Sequence, residues 1–271
     1  MYKLLACDLD GTLMDETFTF TPGVKAAVSL ALARGVAVTI ATGRAYPSAL
    51  HFARELGITL PLICTQGGLV KDPVSGEVLH RAVMSLPLAH EVIDLSQRRG
   101  WHLNLYLDDQ VYLTGLQHPR ALYDQMFSLP LCVVDDLAPA ITRPPDKFII
   151  IAEPDEADAI VPELRQRFGG RLRIVRSHRN FVEGNPLGAS KGQALACLAA
   201  RLGIARSQTA AIGDNDNDAD MVAWAGLGMA MGNAHPDLKA VADVILPPVE
   251  RDGVAVAINK YVLDSIDTDS L

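Results

Sequence analysis

Residues 3–13 read Lys-Leu-Leu-Ala-Cys-Asp-Leu-Asp-Gly-Thr-Leu, an apolar run that ends in two acids and a glycine. A short apolar run closed by turn-forming residues predicts a buried β-strand. Because alternate residues of a strand point to the same side, Asp8 and Asp10 are expected to emerge together at its carboxyl end. Gly11 permits the turn that would direct both carboxylates into one crevice. The alternative is an ordinary Asp-x-Asp-Gly turn without chemistry.

Apolar runs and helical patterns alternate through the first 70 residues. The predicted strands lie at residues 3–7, 36–41 and 60–64, and the predicted helices at residues 22–34 and 48–56. Continuous apolar strands separated by helices are typical of an α/β fold whose parallel sheet is covered on both faces. Ligands of such a sheet bind at the carboxyl ends of its strands, where three polar or glycine-containing loops are expected to converge.

A different pattern begins near residue 84. A helix followed by alternating runs around Asp108-Asp109 predicts an inserted α+β cap domain over residues 84–185, with a core domain formed by residues 1–83 and 186–271. In the insert, strands are predicted at residues 103–107, 110–113, 131–134, 148–152, 171–175 and 181–183, and helices at 90–99, near 120–127 and at 156–168. The returning core pattern predicts helices at 191–202, 218–225 and 236–242, strands at 209–212 and 227–231, and a frayed tail at 264–271.

Charge and cysteine content narrow the possible classes of function. The 271 residues carry a formal net charge of −8, so most of the surface is expected to repel nucleic acid and anionic membranes. The four cysteines form no Cys-x-x-Cys pair, and we identify neither a secretory leader nor an apolar span of ~20 residues. We therefore expect a cytoplasmic protein, a monomer or weak homodimer, that has neither nucleic acid nor a membrane as a partner.

Three further motifs follow the first acidic one. Thr42 ends a predicted strand in Ala-Thr-Gly-Arg, Lys191 stands in Ser-Lys-Gly, and residues 213–218 read Gly-Asp-Asn-Asp-Asn-Asp. In this order the motifs resemble those of the haloacid dehalogenase-like (HAD) superfamily of phosphotransferases. The insert, with Gly-Asn-Ala at 232–234 and Asp-Gly-Val at 252–254, resembles the Cof-like branch with a large α/β (C2B-type) cap. The resemblance implies a Rossmann-like parallel-sheet core with an inserted α+β cap.

The resemblance also implies roles that phosphoryl-transfer chemistry explains. Asp8 would attack phosphorus and form an aspartyl-phosphate. Asp10 would protonate the leaving group and later take a proton from the hydrolytic water. Thr42 and Lys191, together with the backbone amide of Gly43, would hold the phosphoryl oxygens.

An acidic cluster is the predicted cation site. Asp214 and Asp218 are four residues apart at the start of a predicted helix, so they are expected to share one face. Oxygen ligands suit Mg²⁺, and Asp8, Asp214 and the Asp10 carbonyl are expected to supply them, with Asp218 binding directly or through water. The predicted cofactor is therefore Mg²⁺.

Four more residues are candidates for ligand contact or departures from the family pattern. Asn217 resembles a family Asn that orients phosphate or metal ligands, and it is equally an ordinary helix cap. Arg44 is expected to contact substrate or to form a surface ion pair. Glu183, near the end of the insert, is a candidate substrate contact, with a solvated hairpin as the alternative. Gln66 stands where the family usually has Asn, and its longer side chain is expected to reach differently.

The motifs and the resemblance thus predict a Mg²⁺-dependent phosphatase that hydrolyses small phosphomonoesters through an aspartyl-phosphate intermediate. Its expected partner is a small phosphorylated metabolite, with sugar phosphates as the expected substrates. One alternative is a phosphomutase, which would return the phosphoryl group to a reoriented sugar and need a bisphosphate activator. The other is a non-catalytic, sugar-phosphate-binding regulatory protein. The second alternative has no need for Asp10, because binding without turnover requires no general acid.

Overall fold

The computed structural model describes residues 2–117, 120, 123 and 129–263. Before the insert, the chain forms β1 (Leu4–Cys7), α1 (Pro22–Ala33), β2 (Ala37–Ile40), α2 (Tyr46–Glu55), β3 (Leu62–Cys64), β4 (Leu69–Lys71) and β5 (Val78–Arg81). The next elements are α3 (Leu86–Arg99), β6 (His102–Leu107), β7 (Gln110–Leu113), β8 (Leu131–Val133), α4 (Leu137–Ala140), β9 (Lys147–Ile151), α5 (Pro154–Phe168), β10 (Leu172–His178) and β11 (Phe181–Pro186). The last third forms α6 (Lys191–Arg201), β12 (Thr209–Gly213), α7 (Ala219–Trp224), β13 (Leu227–Ala230), α8 (Pro236–Val241), β14 (Val244–Ile245), α9 (Gly253–Ala257) and a π-helical turn at Ile258–Leu263.

The central sheet is parallel and has the strand order β14-β13-β12-β1-β2. Strand β1 lies in its middle, where Leu4 is in register with Ala37 on one side and with Thr209 on the other. The strand that precedes the insert, β2, lies on one side of β1, and the strands that follow the insert, β12 to β14, lie on the other side. A crevice therefore opens at the carboxyl end of β1, which is the usual ligand position in such a sheet.

Both faces of the central sheet are covered. In β1, Leu5 and Cys7 belong to one hydrophobic cluster, and Leu4 and Ala6 belong to a second cluster. All four residues are fully buried, as expected of a central parallel strand whose side chains alternate between two helical layers. The predicted α/β fold class is confirmed.

A small antiparallel sheet extends the core beyond β2. Ala41 forms a parallel bridge with Ile63, so β3 continues the central sheet, and β4 and β5 then turn back along it. The sequence patterns do not predict β4 or β5, because both are short and β5 is largely exposed with only partial apolar character. Such strands depend on their neighbours rather than on their own hydrophobicity.

The insert forms a second sheet with the order β10-β11-β9-β6-β7-β8. Its pairings are antiparallel except that of β7 with β8. Helices α3 and α5 bury the apolar residues of one face, among them Leu105, Phe148 and Val182. The alternate residues form the other face, which packs against the core, since Ala45 shares a cluster with Ile149 and Ile151.

Several predicted boundaries differ from the observed ones. Helix α3 begins at Leu86 rather than at residue 90, because Pro87 fits the first turn of a helix, where no amide donor is needed. Strands β10 and β11 each run three residues beyond their predicted ends. The predicted helix near 120–127 falls largely outside the described residues, and the predicted tail at 264–271 falls wholly outside them. The limits of the predicted domains stay a prediction. Within the described part of the chain, no helix is both long and apolar enough to cross a bilayer.

Candidate active site

A buried lysine joins two carboxylates at the carboxyl ends of the central strands. Lys191, the first residue of α6, places Nζ 2.6 Å from Oδ1 of Asp8 and 2.6 Å from Oδ1 of Asp218. Asp8 directly follows β1, and the Lys191 side chain is fully buried. The Ser190 hydroxyl accepts a hydrogen bond from the backbone N–H of Gln193 and caps α6. This cap fixes the first turn of the helix that presents the lysine.

The surrounding charges keep Lys191 ionised in this buried position. Burial alone would lower its pKa, but the carboxylates of Asp218 and Asp8 raise the pKa above its ordinary value. The pKa of Asp8 is also raised well above its ordinary range, first by burial and then by repulsion from Asp218, although Lys191 opposes the shift. Negative charge at this point therefore exceeds what the lysine neutralises.

Asp214 completes a group of three carboxylates. One oxygen from each of Asp8, Asp214 and Asp218 lies within 4.8 Å of the others. Burial and repulsion from Asp218 raise the pKa of Asp214 to about 7, while a 3.0 Å hydrogen bond from the Thr12 hydroxyl opposes the shift. A divalent cation would relieve this repulsion, and carboxylate oxygens are ligands that hard cations prefer. The cluster therefore fits a divalent metal ion.

Gly11 is required by this geometry for two reasons. Its φ of +82° is unfavourable for residues with a Cβ atom. A Cβ atom built on Gly11 would also lie 2.4 Å from Oδ2 of Asp214. The turn after β1 therefore has no room for a side chain at position 11. Gly11 is needed for the turn, as predicted, and also for the close approach of the Asp214 carboxylate.

Asp214 and Asp218 come together differently from the prediction of a shared helix face. Asp214 directly follows β12, and Asp218 ends a short 3-10 turn before α7. Oδ2 of Asp218 accepts hydrogen bonds from the backbone N–H groups of Asp214 and Asn215, at 3.0 and 3.1 Å. With Lys191 on Oδ1, the Asp218 carboxylate thus accepts three hydrogen bonds from the protein. It fixes both the loop and the lysine.

Arg44 binds Asp10 with both ends of its guanidinium group. Nε lies 2.8 Å from Oδ2 and Nη2 lies 2.7 Å from Oδ1 of Asp10. The arginine is held independently by Ser48, at 3.1 Å from Nη1, and lies near the rings of Phe18 and Phe52. Its side chain is 9% exposed, whereas that of Asp10 is 44% exposed. The predicted ion pair of Arg44 therefore exists, but it lies within the site rather than on the open surface.

Thr42 lies two residues after the end of β2, which pairs with the strand that leads to Asp8. Its side chain is buried, and Oγ1 accepts a hydrogen bond from the backbone N–H of Arg44 at 3.1 Å. A hydroxyl group has one proton to donate and accepts through its lone pairs. The contact with Arg44 uses an acceptor position, so the Thr42 proton remains to be donated to another oxygen.

The chain matches a known protein family over most of its length. A family model described as haloacid dehalogenase-like hydrolase matches residues 5–258. The chain belongs to the haloacid dehalogenase-like hydrolases. A solved member from Bacteroides thetaiotaomicron has a TM-score of 0.85 and 26% identity, covering 95% of this chain and 98% of its own. The family assignment implied by the sequence motifs, including the Cof-like branch, is confirmed.

Two sequence relatives of this hydrolase are named as phosphatases. A Streptococcus pyogenes serotype M6 protein, named only provisionally as a phosphatase, is 32% identical over 273 residues, covering 97% of this chain and 99% of its own. The HMP-PP phosphatase of Serratia proteamaculans is 32% identical over 248 residues, covering 89% of this chain and 88% of its own. This hydrolase is an enzyme of the phosphoric monoester hydrolase class, as the sequence predicts.

The cap of this hydrolase reaches the site through a second buried lysine. Nζ of Lys147, at the start of β9, donates to the backbone carbonyl of Gly43 at 2.8 Å and to Oε2 of Glu183 at 2.8 Å. It also lies 4.9 Å from the centre of the Tyr106 ring. Glu183 accepts a further hydrogen bond from the Ser177 hydroxyl. The alternative of a solvated hairpin is therefore excluded for Glu183, because this carboxylate is buried among protein donors, and its contact with substrate stays a prediction.

Gln66 connects the core loops with the cap. It adopts a left-handed backbone conformation with φ of 59°, and its side chain is buried. Its Oε1 accepts a hydrogen bond from Nδ2 of Asn217 at 2.9 Å, and its Nε2 lies 3.5 Å from Oε2 of Glu183. Asn217 therefore orients Gln66, while Oδ1 of Asn217 is buried with no hydrogen-bond partner among the described residues. The Gln66 side chain therefore links Asn217 of the core to Glu183 of the cap.

The sequence patterns single out four residues that the structure brings together, Asp8, Lys191, Asp214 and Asp218, but they do not single out Lys147. The other predicted site residues have contacts of their own: Asp10 with Arg44, Gly43 with Lys147, Asn217 and Glu183 with Gln66, and the Thr42 hydroxyl with the Arg44 amide. The catalytic and binding roles of these residues stay predictions. The available signal for Lys147 is a charged residue at the start of the apolar run Phe-Ile-Ile-Ile. A lysine at the end of a buried strand is ordinarily solvated, so only the contact across the two domains reveals its importance.

Proposed function

We propose that this enzyme hydrolyses small phosphomonoesters, sugar phosphates foremost, with Mg²⁺ and through an aspartyl-phosphate intermediate. One observation carries the proposal: the buried Asp8 carboxylate lies against Lys191 on one side and the Asp214 carboxylate on the other. Transfer of a charged phosphoryl group requires a nucleophile that has a cationic side chain and a metal-binding carboxylate cluster beside it.

The proposed reaction has two steps. An oxygen of Asp8 bonds to phosphorus as the phosphorus–oxygen bond to the leaving group breaks, and Asp10 gives its proton to the departing oxygen. A water oxygen then bonds to phosphorus while the bond to Asp8 breaks, Asp10 takes the proton of that water, and orthophosphate leaves. Thr42, the Gly43 amide and Lys191 hold the phosphoryl oxygens in both steps.

Asp10 has to leave Arg44 during this cycle. A carboxyl that donates a proton cannot keep two charge-assisted hydrogen bonds from the guanidinium group on both oxygens. The Asp10 side chain is half-exposed, whereas Arg44 is also held by Ser48 and lies near the rings of Phe18 and Phe52. Substrate binding is therefore expected to displace Asp10 from Arg44, which then becomes available to the substrate.

The groups that would hold Mg²⁺ are Asp8, Asp214 and the Asp10 carbonyl. The Asp218 carboxylate already accepts three hydrogen bonds from the protein, which favours contact between Asp218 and the ion through a water molecule. When bound, the cation supplies neutralisation of charge on the phosphoryl oxygens. Its presence would also relieve the repulsion that raises the pKa values of Asp8 and Asp214.

Phosphate release from a panel of phosphorylated metabolites, with and without Mg²⁺, tests the proposal. The panel includes sugar phosphates, aryl phosphates and HMP-PP, because the 32% identical Serratia relative bears the name HMP-PP phosphatase. We expect turnover of at least one sugar phosphate and its loss in excess chelator. Isomerised product dependent on a bisphosphate activator would indicate a phosphomutase, and tight binding without turnover would indicate a regulatory protein.

A further inference from the structure

We infer that Lys147 is a positioning residue, which orients the Thr42 hydroxyl through the Gly43–Arg44 peptide when the cap lies on the core. The inference rests on the proposed function, in which Thr42 donates to a phosphoryl oxygen. It concerns a residue of the cap that acts on the phosphoryl group rather than on the leaving group.

The contacts form a short chain from the cap to Thr42. The Lys147 ammonium donates to the carbonyl oxygen of Gly43 at 2.8 Å. The same peptide unit carries the N–H of Arg44, which donates to Oγ1 of Thr42 at 3.1 Å. Lys147 and Thr42 are therefore the two partners of one peptide group, one on its oxygen and the other on its N–H.

The charge of Lys147 strengthens this arrangement. A cation on a carbonyl oxygen polarises the peptide, so its N–H becomes a better donor to Thr42. That hydrogen bond occupies an acceptor position of the hydroxyl and leaves its proton directed away from Arg44. Fixing the peptide from both ends thereby fixes the direction in which Thr42 donates.

The position of Lys147 argues against a direct role with the leaving group. Its Nζ is already engaged by Gly43, by Glu183 at 2.8 Å and by the Tyr106 ring, and the residue is 2% exposed. Glu183 neutralises the lysine from within the cap, so the pair can move with the cap as a unit without leaving an isolated buried charge. Gly43 is the partner that belongs to the core. This contact therefore forms only while the cap is seated.

The test is a double-mutant cycle between Lys147 and Thr42. The variant Lys147→Met with Glu183→Gln removes the donor to Gly43 without leaving Glu183 as an unpaired buried charge, and Thr42→Val removes the hydroxyl. We expect the Lys147 and Glu183 pair of substitutions to lower kcat/KM about 10-fold to 10²-fold, equally for sugar and aryl phosphates, as displaced catalytic groups do. In the Thr42→Val background, the same two substitutions should lower kcat/KM by less than about threefold, because there is then no Thr42 hydroxyl for Lys147 to orient.

Control variants separate positioning from loss of structure. Glu183→Gln alone keeps the donor to Gly43, so it measures the part of the loss that comes from Glu183 itself, and it should lower kcat/KM less than the pair of substitutions does. Lys147→Arg keeps a cationic donor and should recover part of the loss. Lys71 lies 4.3 Å from the ring of Tyr46, much as Lys147 lies on Tyr106, so Lys71→Met controls for loss of a lysine packed on an aromatic ring. Melting temperatures are measured for every variant.

The outcomes are distinct. Equal losses in the wild-type and Thr42→Val backgrounds would overturn the inference, as would a loss confined to sugar phosphates, which would assign Lys147 to the leaving group. The same cycle is repeated with the affinity for inorganic phosphate as the measured quantity. The Lys147 and Glu183 substitutions should lower this affinity about tenfold in the wild-type background and leave it unchanged in the Thr42→Val background. This readout needs no turnover, so it tests the inference even if the wild-type enzyme hydrolyses none of the panel, a result that would refute the proposed function alone.

Discussion

The Asp8 carboxylate is both the expected nucleophile and one of three crowded acids. We predict that Asp8→Asn abolishes phosphate release, because an amide does not attack phosphorus. The folded protein should remain at least as stable, because the neutral side chain removes both causes of the raised pKa of Asp8, which are the burial of a charge and the repulsion from Asp218. Phosphate release and melting temperature are measured together, with Asp15→Asn as the control substitution of a nearby acid outside the carboxylate cluster. Turnover retained in Asp8→Asn would refute the covalent mechanism.

Asp10 differs from Asp8 because its side chain is exposed and paired with Arg44. We predict that Asp10→Asn lowers kcat about 10² to 10⁴ fold for alkyl phosphates, since it removes the proton donor and acceptor. The loss should be smaller for the first step with aryl phosphates, whose leaving groups need no proton. Burst kinetics with aryl phosphates separate the two steps. If both substrate classes lose formation of the intermediate equally, Asp10 positions the substrate rather than transferring a proton.

At the scale of the element, the turn after β1 depends on Gly11. We predict that Gly11→Ala lowers the free energy of unfolding by about 2 kcal/mol or more and weakens Mg²⁺ binding, because the added Cβ meets the Asp214 carboxylate. Gly57→Ala is the matched control, since Gly57 also has a positive φ but a Cβ added there would have no atom within 4 Å. Gly57→Ala should cost only about 1 kcal/mol and leave metal affinity unchanged. Similar effects of the two substitutions on Mg²⁺ binding would contradict the close-approach role.

Some elements of the core, β1 and α1 among them, could be predicted because their own sequences determine them, whereas β14 and α9 are not among the predicted elements. The buried strand β1 has four consecutive apolar residues, and α1 has a capping threonine, a proline in its first turn and Gly35 after its end. Strands β4 and β5 could not be predicted, since their pairing rather than their composition stabilises them. The same holds for the site. The motifs identify Asp8 and Lys191, but the contact of Lys147 with Gly43 arises only from the packing of two domains.

At the scale of the whole molecule, the carboxylate cluster links stability to pH and to metal. The pKa of Asp214 is raised from 3.8 to about 7 in the folded protein without metal, so the folded state binds this proton more tightly than the unfolded state. The resulting stability is fully present below about pH 4 and is lost as the pH rises through 7. We predict that the melting temperature of metal-free protein falls by about 3 °C or more between pH 5 and pH 8.

The metal should reverse this trend. In the proposed site Mg²⁺ would bind the ionised carboxylates, so it should raise the melting temperature more at pH 8 than at pH 5. Thermal melts at both pH values, with Mg²⁺ or chelator, measure the two effects, and Asp214→Asn should reduce both. If Mg²⁺ raised the melting temperature equally at both pH values, the carboxylate cluster would not be the Mg²⁺ site.

The central position of β1 has a consequence for synthesis of the chain. Its partner β12 begins 205 residues later, since Leu4 is in register with Thr209, and the contact of Lys191 with Asp8 also waits for the far side of the insert. At ~5–20 residues per second, a ribosome takes about 10 to 40 s to produce that partner. During this interval one edge of a wholly apolar strand has no hydrogen-bonding neighbour, while the inserted sheet between the two halves emerges complete. The cap can therefore fold before the domain that it covers, and the catalytic centre is assembled last.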